Sequence, residues 1–151
     1  MKKNSAILIL LILLALVLVF HFGILLKMIP YEITWGGRIE NDTQMYVFEA
    51  ISIFINLLLI FLLLMKGKGI RPYFSDRIVD GFLWAYLILF LMNTVGNIFA
   101  KTAFEKGFSV VTLIFSILIW MILRKEKPKK FSSLQGRAKE NFGTELQIGL
   151  I

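Results

Sequence analysis

AILILLILLALVLVFHFGILL, residues 6–26, is an apolar run carrying one ionisable side chain, His21. Its length is near the ~20 residues that a helix needs to cross a bilayer. Three more runs of the same kind follow at 45–65, 78–100 and about 104–123. With backbone groups unable to bond to lipid, each span must satisfy its own amides, so each is expected to be a helix. The expected fold class is therefore an all-α membrane protein, an antiparallel bundle of four transmembrane helices. Residues 1–124 would form the membrane domain.

Composition agrees with this class. Of the 151 residues, 58% are hydrophobic, and the mean hydropathy is +0.77. Soluble domains average nearer half apolar and lack repeated runs of this length. The absence of Cys excludes disulfides, thiol catalysis and Cys-ligated metals. A single His makes a zinc site built from protein ligands an unfavoured reading. No cofactor is implied.

The net charge of +7 invites a nucleic-acid reading. Its placement points elsewhere. Thirteen of the 17 basic residues precede the first span, separate the second from the third, or follow the fourth. Lys27, Arg38, Lys101 and Lys106 fall in the other connections. Because Lys and Arg accumulate on the cytoplasmic side, both termini are expected there, an N-in/C-in topology. Membrane lipids, rather than nucleic acid, become the expected partners, since each basic group near an anionic surface contributes ~1 kcal/mol of attraction. The first run has a basic start like a signal peptide, but no small-x-small cleavage site follows it, so an uncleaved helix is expected.

The connections carry their own signals. In the loop from Lys27 to Gln44, Tyr31, Ile33 and Trp35 alternate with Glu32 and Thr34, and Gly36-Gly37 follows. That pattern predicts a short β-hairpin over the outer helix ends. Asn41, three residues before Gln44, is expected to cap the second helix. Residues 125–151 lose the apolar pattern and are expected to form a basic, disordered cytoplasmic tail.

Polar residues inside the spans suggest a site, because ionisable groups in lipid are costly and usually face a cavity or a partner. Glu49, Ser52 and Asn56 are three and four apart, hence on one helix face. Asn93 and Asn97 form a similar pair, with Thr94 and Gly96 beside them. Ser109, Thr112 and Ser116 make a third stripe, and His21 lies late in the first helix. With alternating helix directions, most of these fall at similar depth toward the outer surface. The expected arrangement is an outward-facing polar pocket under a loop bearing Trp35 and Arg38. His21, Trp35, Arg38, Glu49, Ser52, Asn56, Asn93, Asn97 and Thr112 are its candidate lining residues. Arg38 beside two glycines suits carboxylate or phosphate, or a salt bridge to Glu32, Glu40 or Glu49. A His21–Glu49 pair could relay protons, imidazole being the side chain that titrates near neutral pH. The competing reading is structural. Asn, Ser and Thr often hold membrane helices together, each bond worth only ~0.6–2 kcal/mol, and Gly96 would allow close packing. Asp80 is expected to pair with Arg77 near the inner interface.

Tyr31-Glu-Ile-Thr-Trp-Gly-Gly-Arg38, together with Asn93-Thr-Val-Gly-Asn97 and Phe104-Glu-Lys106, resembles a group of uncharacterised small four-helix bacterial membrane proteins. The likeness covers about residues 20–124. It implies the bundle and a bacterial inner-membrane location, and no activity. The helix count is also similar to that of sterol-isomerase-like proteins, without their set of buried acids.

The leading expectation is a non-catalytic protein that binds a small molecule or lipid headgroup, or supports a membrane complex as a homo-oligomer or beside another membrane protein. The alternatives are an embedded enzyme using His21 and Glu49 for acid–base chemistry, and a small proton-coupled transporter. Catalytic residues are not assignable from the sequence. Few polar positions in the inner halves of the helices weigh against a carrier.

Overall fold

The computed structural model describes residues 2–31, 39–100 and 102–124. Four α-helices span Lys3–Leu25 (α1), Asp42–Lys66 (α2), Asp76–Ile98 (α3) and Ala103–Leu123 (α4). All four are long and apolar enough to cross a membrane. At 1.5 Å per residue the 21 residues of α4, the shortest, extend about 32 Å, enough for a hydrocarbon core near 30 Å. The helices begin before the apolar runs because their first turns are polar. Asp42 and Asp76 occupy these turns, where a carboxylate opposes the positive end of the helix dipole.

Capping explains where the helices stop and start. Asn41 accepts a bond from the Gln44 amide at 2.9 Å. The return bond reaches one residue further than a capping box requires, from the Glu40 amide to Gln44 Oε1 at 3.0 Å. α1 and α2 end alike. The Met28 amide bonds back to the Gly23 carbonyl, and the Gly69 amide to that of Leu64. Both closures put a lysine in the left-handed region, Lys27 at φ 56° and Lys68 at φ 61°. Glycine is the usual residue in this Schellman turn, because a Cβ there is strained. Lys27 donates to Asp42 at 2.6 Å, an exposed link across the loop. That bond pushes the lysine above its ordinary value.

Neighbouring helices run antiparallel in a ring, α1-α2-α3-α4, with α4 returning beside α1. Packing is most extensive between α3 and α4 and thinnest between α2 and α3. The main core fills the half of the bundle nearest Lys2 and Arg124. There Leu10 and Leu14 of α1 meet Leu59 and Leu63 of α2, Leu83 and Leu87 of α3, and Phe115 and Ile119 of α4. A smaller cluster of Ile24, Ile39 and Met45 closes the distal half.

Two expectations need correction. Asp80 pairs with Lys66 at 2.6 Å rather than with Arg77. Lys66 ends α2 with an almost buried side chain and lies 3.3 Å from Asp76 as well, so the start of α3 supplies both carboxylates to one ammonium. Gly96 does not serve close packing either. A Cβ placed there would meet nothing within 4 Å, because this face of α3 points away from the bundle.

The expected hairpin, Trp35 and Arg38 lie outside the described residues, as does the tail after Arg124. The described residues contain no strand.

Candidate functional site: a cavity between the helices

Glu49, Asn56, Thr94, Glu105, Thr112 and Ser116 are the buried polar side chains among the described residues. Most of them surround one cavity of about 450 Å³. It lies where α2 and α3 pack least closely, and all four helices contribute to its wall.

His21 and Glu49 form its polar centre. The late position of His21 on α1 and the early position of Glu49 on α2 meet because the two helices are antiparallel neighbours. His21 Nδ1 lies 2.6 Å from Glu49 Oε2, with the carboxylate fully buried. A buried charge is expensive unless paired, and this contact offsets part of the cost of placing Glu49 inside the bundle. With Nδ1 committed, Nε2 is the imidazole nitrogen left to meet a ligand.

Other polar groups divide into two kinds. Some satisfy themselves on the backbone. Asn56 donates to the Ser52 carbonyl at 2.8 Å, and Ser116 to that of Thr112 at 2.9 Å. Thr94 and Thr112 share a 2.9 Å hydroxyl–hydroxyl bond between α3 and α4 while each also bonds back to its own helix. These are the packing bonds of the structural reading. Asn93 and Asn97 differ. Both line the cavity, and neither side chain makes a hydrogen bond to another described residue. Amides left in an apolar medium without partners are unfavourable, so this wall is chemically ready for a polar guest.

The remainder of the wall is apolar and aromatic. Phe20 of α1 stacks with Phe104 and Phe108 of α4, at 5.4 and 5.1 Å between ring centroids. At the other end Phe90 and Phe115 meet edge to face at 5.0 Å and form the floor. Glu105 to Phe115 is ten residues of α4, about 15 Å along the cavity. Tyr86, below the floor, donates to the Ile55 carbonyl at 2.7 Å and bridges the thin α2–α3 seam. Phe48, Ile51 and Asn93 line the cavity and are also exposed on the bundle surface. The cavity therefore opens sideways between α2 and α3.

His21, Glu49, Ser52, Asn56, Asn93, Asn97 and Thr112, the candidates within the described residues, all line this cavity. Glu105 was missed. It is nearly buried, accepts from the Thr102 hydroxyl at 2.8 Å, and gives its amide to that hydroxyl at 3.2 Å. Thr102-Ala-Phe-Glu105 is a legible capping-box pattern. It marks a helix start whose glutamate lines the cavity. Among the described residues no three His, Cys, Asp or Glu side chains group as metal ligands.

Compared with known proteins, the chain matches no family model, no curated protein and no solved structure. The fold and site define a multi-pass helical protein with an amphiphilic cavity between its helices.

Proposed function

We propose that this protein binds an amphiphilic small molecule or lipid whose polar head meets His21, Glu49, Asn93 and Asn97 and whose apolar part runs toward Phe90 and Phe115. The observation that carries this reading is the lateral opening of a largely apolar cavity that holds His21, Glu49, Asn93 and Asn97 toward one end and the Phe90–Phe115 pair at the other. A guest dissolved in the bilayer would enter between α2 and α3 without crossing water. The chain would sit in a bacterial inner membrane with both termini cytoplasmic, a topology supported by the thirteen-to-four division of basic residues.

Native mass spectrometry of the gently extracted protein tests the binding. One retained amphiphile per chain is expected, and it should be lost in Ser52→Phe, which projects a ring into the cavity. A guest retained equally by that variant would place it elsewhere. Topology is tested by single cysteines at Lys68, Arg38 and Lys139 in this Cys-free background. An impermeant thiol reagent should label Arg38→Cys alone from outside.

The 2.6 Å His21–Glu49 contact inside a cavity also favours a second reading, acid–base chemistry or proton-coupled transport. Either would require turnover or flux that falls in both Glu49→Gln and His21→Gln. Undiminished activity in these variants would leave binding as the role of the pair.

A further inference from the structure

A second cavity, of about 980 Å³, lies at the opposite end of the bundle from His21 and Glu49. Its wall includes Lys3 from the start of α1, Lys66 from the end of α2, and Lys68 and Arg71 from the loop joining α2 to α3. Asp76 is the carboxylate in this wall, and it is drawn to Lys66, which lies 3.3 Å from Asp76 and 2.6 Å from Asp80. The two aspartates outweigh Lys66 by one charge, and Lys68 and Arg71, with Lys3 beside them, still leave this end of the bundle with a positive excess. The amides of Lys68 and Gly69 are committed to the Met65 and Leu64 carbonyls, so attraction for an anion comes from side chains.

The loop is placed at the depth of lipid headgroups. It follows the last apolar residues of α2 directly and precedes those of α3. Tyr73 turns back onto α2, its ring 6.0 Å from that of Phe61, five residues before the helix ends. Tyr73 and Phe74 are both exposed. Exposed aromatic rings next to basic side chains are the pairing that anchors a segment at the membrane interface. A free anion would have no use for these rings, whereas a lipid brings acyl chains to them.

We propose that Lys68 and Arg71 in this cavity bind the phosphate of an anionic phospholipid, with the lipid's glycerol and upper chains against Tyr73 and Phe74. The site is independent of the amphiphile cavity, since the two lie at opposite ends of the bundle.

The test is a native mass spectrometry titration of the purified full chain with phosphatidylglycerol, phosphatidylcholine and inorganic phosphate. Lys68→Gln/Arg71→Gln keeps the loop's side-chain bulk while removing two charges. It should weaken the first phosphatidylglycerol by more than about tenfold, as expected when two charge-assisted contacts to a phosphate are removed. Lys2→Gln/Arg124→Gln removes two exposed charges from the same end outside this wall and should leave that affinity within about twofold of the parent. Lys68→Arg/Arg71→Lys should restore binding, which separates a lost ligand contact from a misfolded loop. Equal losses in the two charge-removing pairs would show general surface attraction and overturn the proposal. So would unchanged affinity in the loop pair, or phosphatidylcholine bound as tightly as phosphatidylglycerol. Inorganic phosphate competing at the lipid's own concentration would overturn the lipid as the ligand.

Discussion

Removing His21 alone from the His21–Glu49 pair should cost far more than removing both partners. Glu49 is fully buried, His21 is 14% exposed, and their atoms approach to 2.6 Å. Substituting His21→Leu leaves a carboxylate inside the bundle without its imidazole. Breaking a buried pair in this way costs about 3 kcal/mol, the lower end of the usual range, because His21 keeps some exposure. Glu49→Leu leaves the imidazole at the cavity edge without this partner, which is less severe because His21 is partly exposed, at about 1–2 kcal/mol. The double substitution puts two leucines beside Ile24 and Phe20, apolar neighbours on α1. It should return to within about 1 kcal/mol of the parent, as apolar replacement of a buried pair often does. The coupling energy is then about 3–5 kcal/mol, far above the ~0.3–0.5 kcal/mol scatter of independent sites. Reversible unfolding in mixed micelles with increasing sodium dodecyl sulfate, followed by tryptophan fluorescence, measures all four corners of the cycle. Costs that simply add would show that the two side chains do not depend on each other, and the paired-charge explanation for buried Glu49 would fail.

Three further outcomes are expected. Lys68→Gly should stabilise the protein by about 1 kcal/mol by relieving the left-handed backbone at φ 61°, read as a shift in the same unfolding midpoint. Gly96→Ala should stabilise by about 0.5–1 kcal/mol, since the added methyl meets nothing and the helix gains propensity; destabilisation would mean that this face is packed in the membrane. Arg38→Ala and Glu49→Gln should be non-additive in stability or ligand affinity, if the outer loop reaches the cavity carboxylate; additivity within error would separate loop from cavity.

The bundle is legible in the sequence because a bilayer imposes a length on its spans. Twenty apolar residues between polar ends allow few alternatives. Much of the cavity wall is legible for a related reason. In an apolar helix the polar residues are the informative ones, and the three- and four-residue spacing of Glu49, Ser52 and Asn56 assigns them a common face. Depth then brings His21 level with Glu49. The rotation and splay of the helices are less legible. α1 is apolar all round, so no stripe announces which side meets α2 and which meets lipid. The thin α2–α3 seam, and the sideways opening it creates, depend on bulky groups such as Tyr86 and Phe90 whose meeting points span distant residues. Asp80 shows the limit of local reading. Arg77 is near it in sequence, but Lys66 reaches it across a turn. Gly96 shows the same limit, since small size marks a close approach only when a neighbouring helix is there.

Photolabelling with a phospholipid that carries a diazirine at the end of one acyl chain tests the lateral cavity most directly. Phe115 is 2% exposed and lines the cavity floor, so a reactive chain end reaches it only from inside. Leu16 and Val19 of α1 are exposed on the bundle surface and report ordinary lipid contact. After irradiation in proteoliposomes and peptide mapping, Phe115 should be labelled alongside Leu16 and Val19, and its label should disappear in Ser52→Phe while theirs remains. Labelling of Leu16 and Val19 with none at Phe115 would contradict the claim that an acyl chain enters between α2 and α3.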